Sequence, residues 1–330
     1  MKTDFVANGI VARTSDNSPT LCRADDNASS LGETKPHSGD DCLRVDSSPG
    51  SHGLLVGASD RLPALPRDAR LPINRCNLPA VILGGPTYQQ HPAPLFLDGV
   101  AELHSDLFRR LEACAQAEQR ASVFTDYVTV HFRLERPEEA GLSGGRKGRA
   151  KANYIRTIRG WSFDSDSREG AVLKGWAESR FGLTPRFHGL PLRDPSEPAY
   201  RRYLEMRAQG LYGTNALEAQ LDLVYAYGQY ELARRHRGAR HVCLYRGVNR
   251  MDDYERLGRT ANGLEFILLN NLNSFSCNRE RAGEFGDHIL AVDIPLTKIF
   301  FYCGLLPGIL QGEDEFLVVG GVVAVSISTM

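Results

Sequence analysis

His241-Val-Cys-Leu-Tyr-Arg246 is the first of five short apolar runs that close the chain. Leu264-Glu-Phe-Ile-Leu-Leu269, His288-Ile-Leu-Ala-Val-Asp-Ile294, Lys298-Ile-Phe-Phe-Tyr302 and Glu315-Phe-Leu-Val-Val319 follow, punctuated by Gly, Asn and Pro. Runs of this length between turn formers predict strands. Upstream the period changes. Val100, Leu103, Leu107, Leu111 and Cys114 recur at helical spacing behind Asp98, which suits an N-cap. Residues 198–209 and 216–235 read as helices, the second with Leu217, Leu221, Val224, Tyr225, Gly228 and Leu232 on one face. Residues 122–134 fit both periods. Phe124, Tyr127, Val128, His131 and Phe132 make a helix face, whereas Val128, Val130, Phe132 and Leu134 make a strand face; helix is preferred. Helices first and strands last predict an α+β fold rather than a doubly wound sheet. No GxGxxG follows a strand and no GxxxxGK[ST] occurs, so the usual Rossmann and P-loop nucleotide sites are excluded.

The 330 residues carry 39 basic and 40 acidic side chains, a net charge of -1. That balance disfavours a nucleic-acid binder. Mean hydropathy is -0.31, and no apolar run reaches the roughly 20 residues of a membrane span. The first 30 residues hold no apolar signal-peptide core, so a cytoplasmic location is expected. The seven cysteines are widely spaced, with no CxxC pair and no Cys/His cluster, so free thiols and no metal are expected. The averages conceal a division. Residues 1–50 hold 28 from the set Ser, Thr, Asn, Asp, Gly and Pro, and a net charge of -3. Such a segment buries too little apolar surface to order itself, so residues 1–70 read as a disordered polar arm. Residues 71–238 then form a mainly helical region and 239–330 a β-rich core, with 71–330 as one compact unit.

Three short stretches in the β-rich part carry candidate chemistry. In Leu244-Tyr-Arg-Gly247, Arg246 stands at a strand end before an open backbone, where a guanidinium suits bidentate phosphate binding. A surface ion pair would look the same. In Asn273-Ser-Phe-Ser276, an extended strand projects both hydroxyls from one face and Phe275 from the other, the serines towards a cleft. An ordinary alternating strand reads the same way. In Gln311-Gly-Glu-Asp-Glu-Phe316, extended backbone puts Glu313 and Glu315 on one face, where two carboxylates can divide labour. The alternative is an acidic turn.

The order Arg246, Ser274-x-Ser276, Glu313-x-Glu315, each at a predicted strand edge, is more specific than its parts. It resembles the Arg-Ser-Glu class of mono-ADP-ribosyltransferases. A longer resemblance runs over residues 71–330, through LPINRCNLPAVILG, PLFLDGVAELH, LYRGVNR, NNLNSFSCNRERAGEFGD and KIFFYCGLLPGILQGEDEFLVVGG. Those stretches resemble the dinitrogen-reductase ADP-ribosyltransferases of nitrogen-fixing bacteria. The resemblance implies a split core of two antiparallel sheets with NAD as co-substrate in the cleft. It implies the nitrogenase iron protein as substrate, modified on one arginine, and a PII signal protein as activator. It implies Glu315 at the ribose 2′-OH, Glu313 orienting and deprotonating the acceptor guanidinium, and Arg246 on the NAD phosphates. Gly247 would clamp the nicotinamide amide, Ser274 would position Glu315, and Ser276 is a further NAD-binding candidate. Residues 301–312 fall where that class recognises its acceptor, so Leu305 and Leu306 are expected to be exposed to the protein substrate. The same chemistry on another protein, or a non-catalytic NAD-binding regulator, are the competing readings.

Other features are left outside that match. Arg146, Lys147, Arg149, Lys151, Arg156 and Arg159, interleaved with Tyr154 and Trp161, form an acid-free basic stretch that reads as a surface loop feeding a helix, or as a docking site for an acidic partner. His131, His188 and His288 read as packed core histidines, and Trp161 and Trp176 as core or interface anchors.

Overall fold

The computed structural model describes residues 62–136, 152–309 and 314–329. The arm up to residue 61, Arg146, Lys147, Arg149 and Lys151 of the basic stretch, and Glu313 therefore lie outside the described residues. Ordered chain begins before residue 71: Leu65 and Ala69 are buried, and Arg70 bridges to Leu183.

The helices come first. They are α1 (Ala80–Leu83), α2 (Pro86–Gln90), α3 (Val100–Leu103), α4 (Ser105–Glu112), α5 (Ala117–His131), α6 (Tyr154–Phe163), α7 (Arg168–Phe181), α8 (Pro198–Leu211) and α9 (Leu217–Arg235). The ambiguous segment 122–134 is mostly helix α5, with Phe124 and Val128 buried. The period over 100–114 is helical but broken. Gly99, at φ +77°, precedes α3 in place of an Asp98 cap, and buried His104 separates α3 from α4. Local signals fix α6 and α7. Asn153 accepts the Arg156 N–H at the start of α6, Ser167 accepts the Gly170 N–H at the start of α7, and left-handed Gly182 ends α7.

A two-residue hairpin, β1 (Phe187–His188) and β2 (Leu190–Pro191), interrupts the helices. The main strands are β3 (His241–Val248), β4 (Glu255–Arg259), β5 (Glu265–Leu268), β6 (Leu272–Ser276), β7 (His288–Pro295), β8 (Ile299–Tyr302), β9 (Glu315–Val319) and β10 (Val322–Thr329), with helix α10 (Arg279–Gly283) after β6. Every pairing is antiparallel, so the α+β expectation holds.

The expected pair of separate sheets is not what the hydrogen bonds give. One eight-stranded sheet runs β4-β5-β10-β7-β3-β6-β9-β8. Two features hold it together. β10 pairs with β5 through Val322 to Val325 and with β7 through Ser326 to Thr329, so one strand serves both neighbours in succession. In the middle, β3 and β6 meet through the single pair Tyr245↔Ser276, whereas β3 and β7 pair along eight positions. The sheet is continuous, but narrow at that joint. Its edges are managed differently. β8 is fully buried beneath α9, while β4 is exposed, irregular at Gly258 and edged with Arg256 and Arg259.

One large buried cluster extends from Leu65 to Val325 and joins helices to sheet, and a small one gathers Ala171, Leu192 and Tyr203. Ion pairs span the helices inside the large cluster. Arg120 of α5 grips Glu231 of α9 at 2.5 and 2.8 Å, both side chains buried. Arg180 of α7 holds Asp222 of α9 at 2.7 and 2.8 Å, and the Trp176 indole donates to the same carboxylate. Of the three histidines expected in the core, His188 is buried; His131 is exposed and stacked on Tyr127, and His288 is half-buried at the start of β7. Cys76, Cys114, Cys277 and Cys303 are free thiols. No described helix is long and apolar enough to cross a membrane.

Candidate active site

The narrow joint between β3 and β6 borders a cavity of about 450 Å³, within the range of small-molecule sites. Arg246, Gly247 and Ser274 line it, with Trp161 of α6 and Lys174 of α7. Its charged lining is Lys174, Arg186, Arg193, Arg246 and Arg250 against Asp253 and Glu255. A cleft so lined attracts an anion. Among the described residues no group of three or more His, Cys, Asp or Glu side chains is placed to hold a metal.

Arg246 leaves the end of β3 and crosses the joint. Its Nη1 donates to the Ser274 carbonyl at 2.6 Å and its Nε to the Tyr254 hydroxyl at 3.2 Å. Gly247 admits no side chain. A Cβ there would lie 2.0 Å from the Ala282 carbonyl oxygen, so glycine lets α10 close on β3.

Ser274 and Glu315 are diagonal neighbours on β6 and β9. Ser276 stands directly opposite Glu315 in register, so all three share one face. Ser274 Oγ donates to Glu315 Oε1 at 2.6 Å. Glu315 is 7% exposed and lies behind Ser274 rather than on the cavity wall. Phe275 points the other way into the core, as the alternation requires. Ser276 does not reach the cavity. It is 6% exposed, and its Oγ accepts the Asn278 N–H at 3.0 Å, which fixes the turn into α10.

Sequence reasoning missed the helical side of the site. Trp161 Nε1 donates to Ser274 Oγ at 2.8 Å, and Ser162 Oγ donates to Glu315 Oε2 at 2.6 Å. No spacing rule relates positions 113 or 153 residues apart. Lys174 is also new. It is 1% exposed, pairs with Asp166 at 2.8 Å, meets His188 Nδ1 at 3.2 Å and lies 5.6 Å from the Trp161 ring centroid. Burial pulls its ammonium below the ordinary value, while Asp166 works in the opposite direction.

The stretch after β8 departs from expectation. Leu305 and Leu306 are each 2% exposed and belong to the core. A turn closed by Leu305 N–H to the Tyr302 carbonyl aims them inward, leaving Gly304, Pro307 and Gly308 outside. They are therefore not a surface for a protein substrate. Arg159 of the basic stretch reaches this turn and donates to the Gly308 carbonyl at 2.8 Å. Two arginines, one at the end of α9 and one just before β3, also serve packing: Arg234 covers the Tyr230 ring and Arg240 donates to the Pro92 carbonyl.

Comparison with known proteins adds a whole-chain observation. The family model described as dinitrogenase reductase ADP-ribosyltransferase matches residues 73–327. A Rhodospirillum rubrum protein named NAD(+)–dinitrogen-reductase ADP-D-ribosyltransferase is 37% identical over 253 residues, 75% of this chain and 91% of that protein. No solved structure matches. The match takes in α1 to β10 and every residue of the cavity, and on that ground the chain belongs to the dinitrogenase reductase ADP-ribosyltransferase family.

Proposed function

We propose that this chain transfers ADP-ribose from NAD to an arginine of dinitrogenase reductase, the nitrogenase iron protein, and so switches nitrogen fixation off reversibly. The observation that carries the reading is the Ser274–Glu315 hydrogen bond, with Ser274 and Arg246 on the wall of a basic cavity and Glu315 directly behind Ser274. Family membership supplies the substrate. Activation by a PII signal protein belongs to the same reading. Residues 71–330 act as one unit, with 239–330 carrying NAD and the β3/β6 joint dividing the sheet into the two lips of the cleft.

The chemistry follows from charge. Breaking the bond between ribose C1′ and the nicotinamide nitrogen sends the electron pair out with nicotinamide and leaves positive charge on the ribose ring, as in glycoside cleavage. A carboxylate fixed beforehand beside that ring stabilises the cation without reorganising. Glu315 takes this role through the 2′-OH, with Ser274 holding the carboxylate in place. The acceptor guanidinium then forms the new C1′–N bond and gives up one proton. A free guanidinium holds its proton far above neutral pH, which makes a nearby base necessary, and Glu313 is assigned that proton. Arg246 spends Nη1 and Nε on protein partners, so Nη2 is the arm assigned to an NAD phosphate. Gly247 offers main-chain groups to the nicotinamide amide. Ser276 serves the turn rather than NAD.

The test combines labelled NAD, purified iron protein and the full chain. Label on one arginine of the iron protein, released with one nicotinamide per label, supports the reading; NAD left intact contradicts it.

A further inference from the structure

Two of the contacts to the candidate catalytic pair come from outside the sheet. Both originate in the last turn of α6, a helix whose other end is fixed by Asn153 and whose buried face carries Tyr154, Thr157, Ile158 and Trp161. We propose that Ser162 and Trp161 are positioning residues for Glu315, so that the helical region supplies half of the clamp on the catalytic carboxylate. This rests on the assignment of Glu315 above and adds residues which that assignment does not contain.

The geometry divides cleanly between the two carboxylate oxygens. Oε1 accepts from Ser274 and Oε2 from Ser162, both at 2.6 Å. Distances this short are those of hydroxyl donors to an ionised acceptor. One donor on each oxygen fixes the plane of the carboxylate as well as its position. Ser274 alone would leave the carboxylate free to rotate about its bond to Cγ. The indole acts one step further back. Trp161 Nε1–H uses one acceptor site of Ser274 Oγ, which orients that hydroxyl proton towards Glu315. Trp161 is itself held: it is 3% exposed and faces the Lys174 ammonium. The chain of contacts therefore runs from the α6–α7 packing through Trp161 and Ser274 to one oxygen, and through Ser162 to the other.

Preorganisation of this kind acts in the transition state more than on bound NAD. The expected signature is a fall in kcat with little change in KM for NAD. The experiment uses the full chain, with labelled ADP-ribose transfer and NAD hydrolysis measured side by side, and thermal unfolding as the check on folding. Ser162→Ala is expected to lower kcat of both activities about 10- to 100-fold, equivalent to about 1.4–2.7 kcal/mol, with KM for NAD within about twofold. Ser162→Thr keeps the hydroxyl and is expected to restore most of the loss. Trp161→Phe keeps the ring, removes the N–H, and is expected to lower kcat in the same direction.

Wild-type kcat in Ser162→Ala overturns the proposal. So does a loss that Ser162→Thr does not restore, or one confined to KM. Glu315→Gln in the same series separates the two levels. If Glu315→Gln is inactive while Ser162→Ala is unaffected, only the positioning proposal fails. If Glu315→Gln retains activity, the assignment of the carboxylate itself fails.

Discussion

Ser274 Oγ and Glu315 Oε1 are 2.6 Å apart on neighbouring antiparallel strands, and the serine is diagonal to the glutamate rather than opposite it. The residue directly opposite, Ser276, turns its hydroxyl to the Asn278 N–H instead. The two serines of one motif thus have separate work. Ser274→Ala is expected to lower kcat for ADP-ribose transfer about 10- to 100-fold, the kinetic equivalent of one charge-assisted hydrogen bond. Ser276→Ala is expected to lower the unfolding midpoint while kcat stays within about threefold. Steady-state kinetics on the two variants, beside thermal melts, checks this division; equal kinetic losses would contradict it.

Arg246 serves both the joint and the cavity, since its Nη1 holds the Ser274 carbonyl across the narrow β3/β6 contact. Lysine keeps the charge but cannot span two partners with a planar fork. Arg246→Lys is therefore expected to raise the NAD dissociation constant about tenfold or more, about 1.4 kcal/mol. Isothermal titration with NAD measures it, and unchanged affinity would remove Arg246 from the phosphate site.

The Arg120–Glu231 pair joins α5 to α9 and does not line the cavity, with both side chains buried. Removing one partner leaves a buried charge without its counter-ion. Glu231→Ala is expected to cost about 3–5 kcal/mol of stability, whereas the double change Arg120→Met with Glu231→Leu is expected to recover most of it. Urea denaturation of the three proteins decides the matter.

His188 gives a pH dependence. Burial, and then the Lys174 ammonium, hold its imidazole down at about 4, against the partial counteraction of Asp166 and Asp164; Arg202 adds to the depression. The unfolded chain thus takes up the proton first as pH falls. The contribution of neutral His188 to stability is complete above about pH 6.5 and is lost as pH drops towards 4. The unfolding midpoint of wild type is expected to fall between pH 7 and 5. A His188→Gln chain is expected to show a smaller fall over that interval, and equal slopes would rule out this histidine as the cause.

Much of this was legible in the sequence. The runs at 241–246, 264–269, 288–294 and 315–319 became strands because their apolar residues are buried on both faces or alternate cleanly. Two strands of the main sheet escaped. Glu255-Arg-Leu-Gly-Arg259 is an exposed, charged edge that lacks any apolar period, and Val322–Thr329 changes neighbours halfway along. Arg246, Ser274 and Glu315 were singled out because each lies at a predicted strand edge within an ordered motif, and the structure places Ser274 within hydrogen-bond reach of both Arg246 and Glu315. Trp161 and Ser162 were not, since their partners Ser274 and Glu315 lie 113 and 153 residues away, and Lys174 was not, since its meeting with Asp166 and His188 depends on how the chain folds back around α7. Leu305 and Leu306 were misread because apolar residues in a Gly-rich turn look alike whether they face solvent or the core.

The central claim is that Glu315 stabilises the ribose cation while Ser274, Ser162 and Trp161 hold it ready. The most direct measurement is the single-turnover rate of labelled ADP-ribose transfer to iron protein by Glu315→Gln, with NAD binding measured on the same protein. The account predicts that NAD still binds within about threefold of wild type while both transfer and NAD hydrolysis fall by about a thousandfold or more. Transfer persisting near the wild-type rate with NAD bound would contradict it.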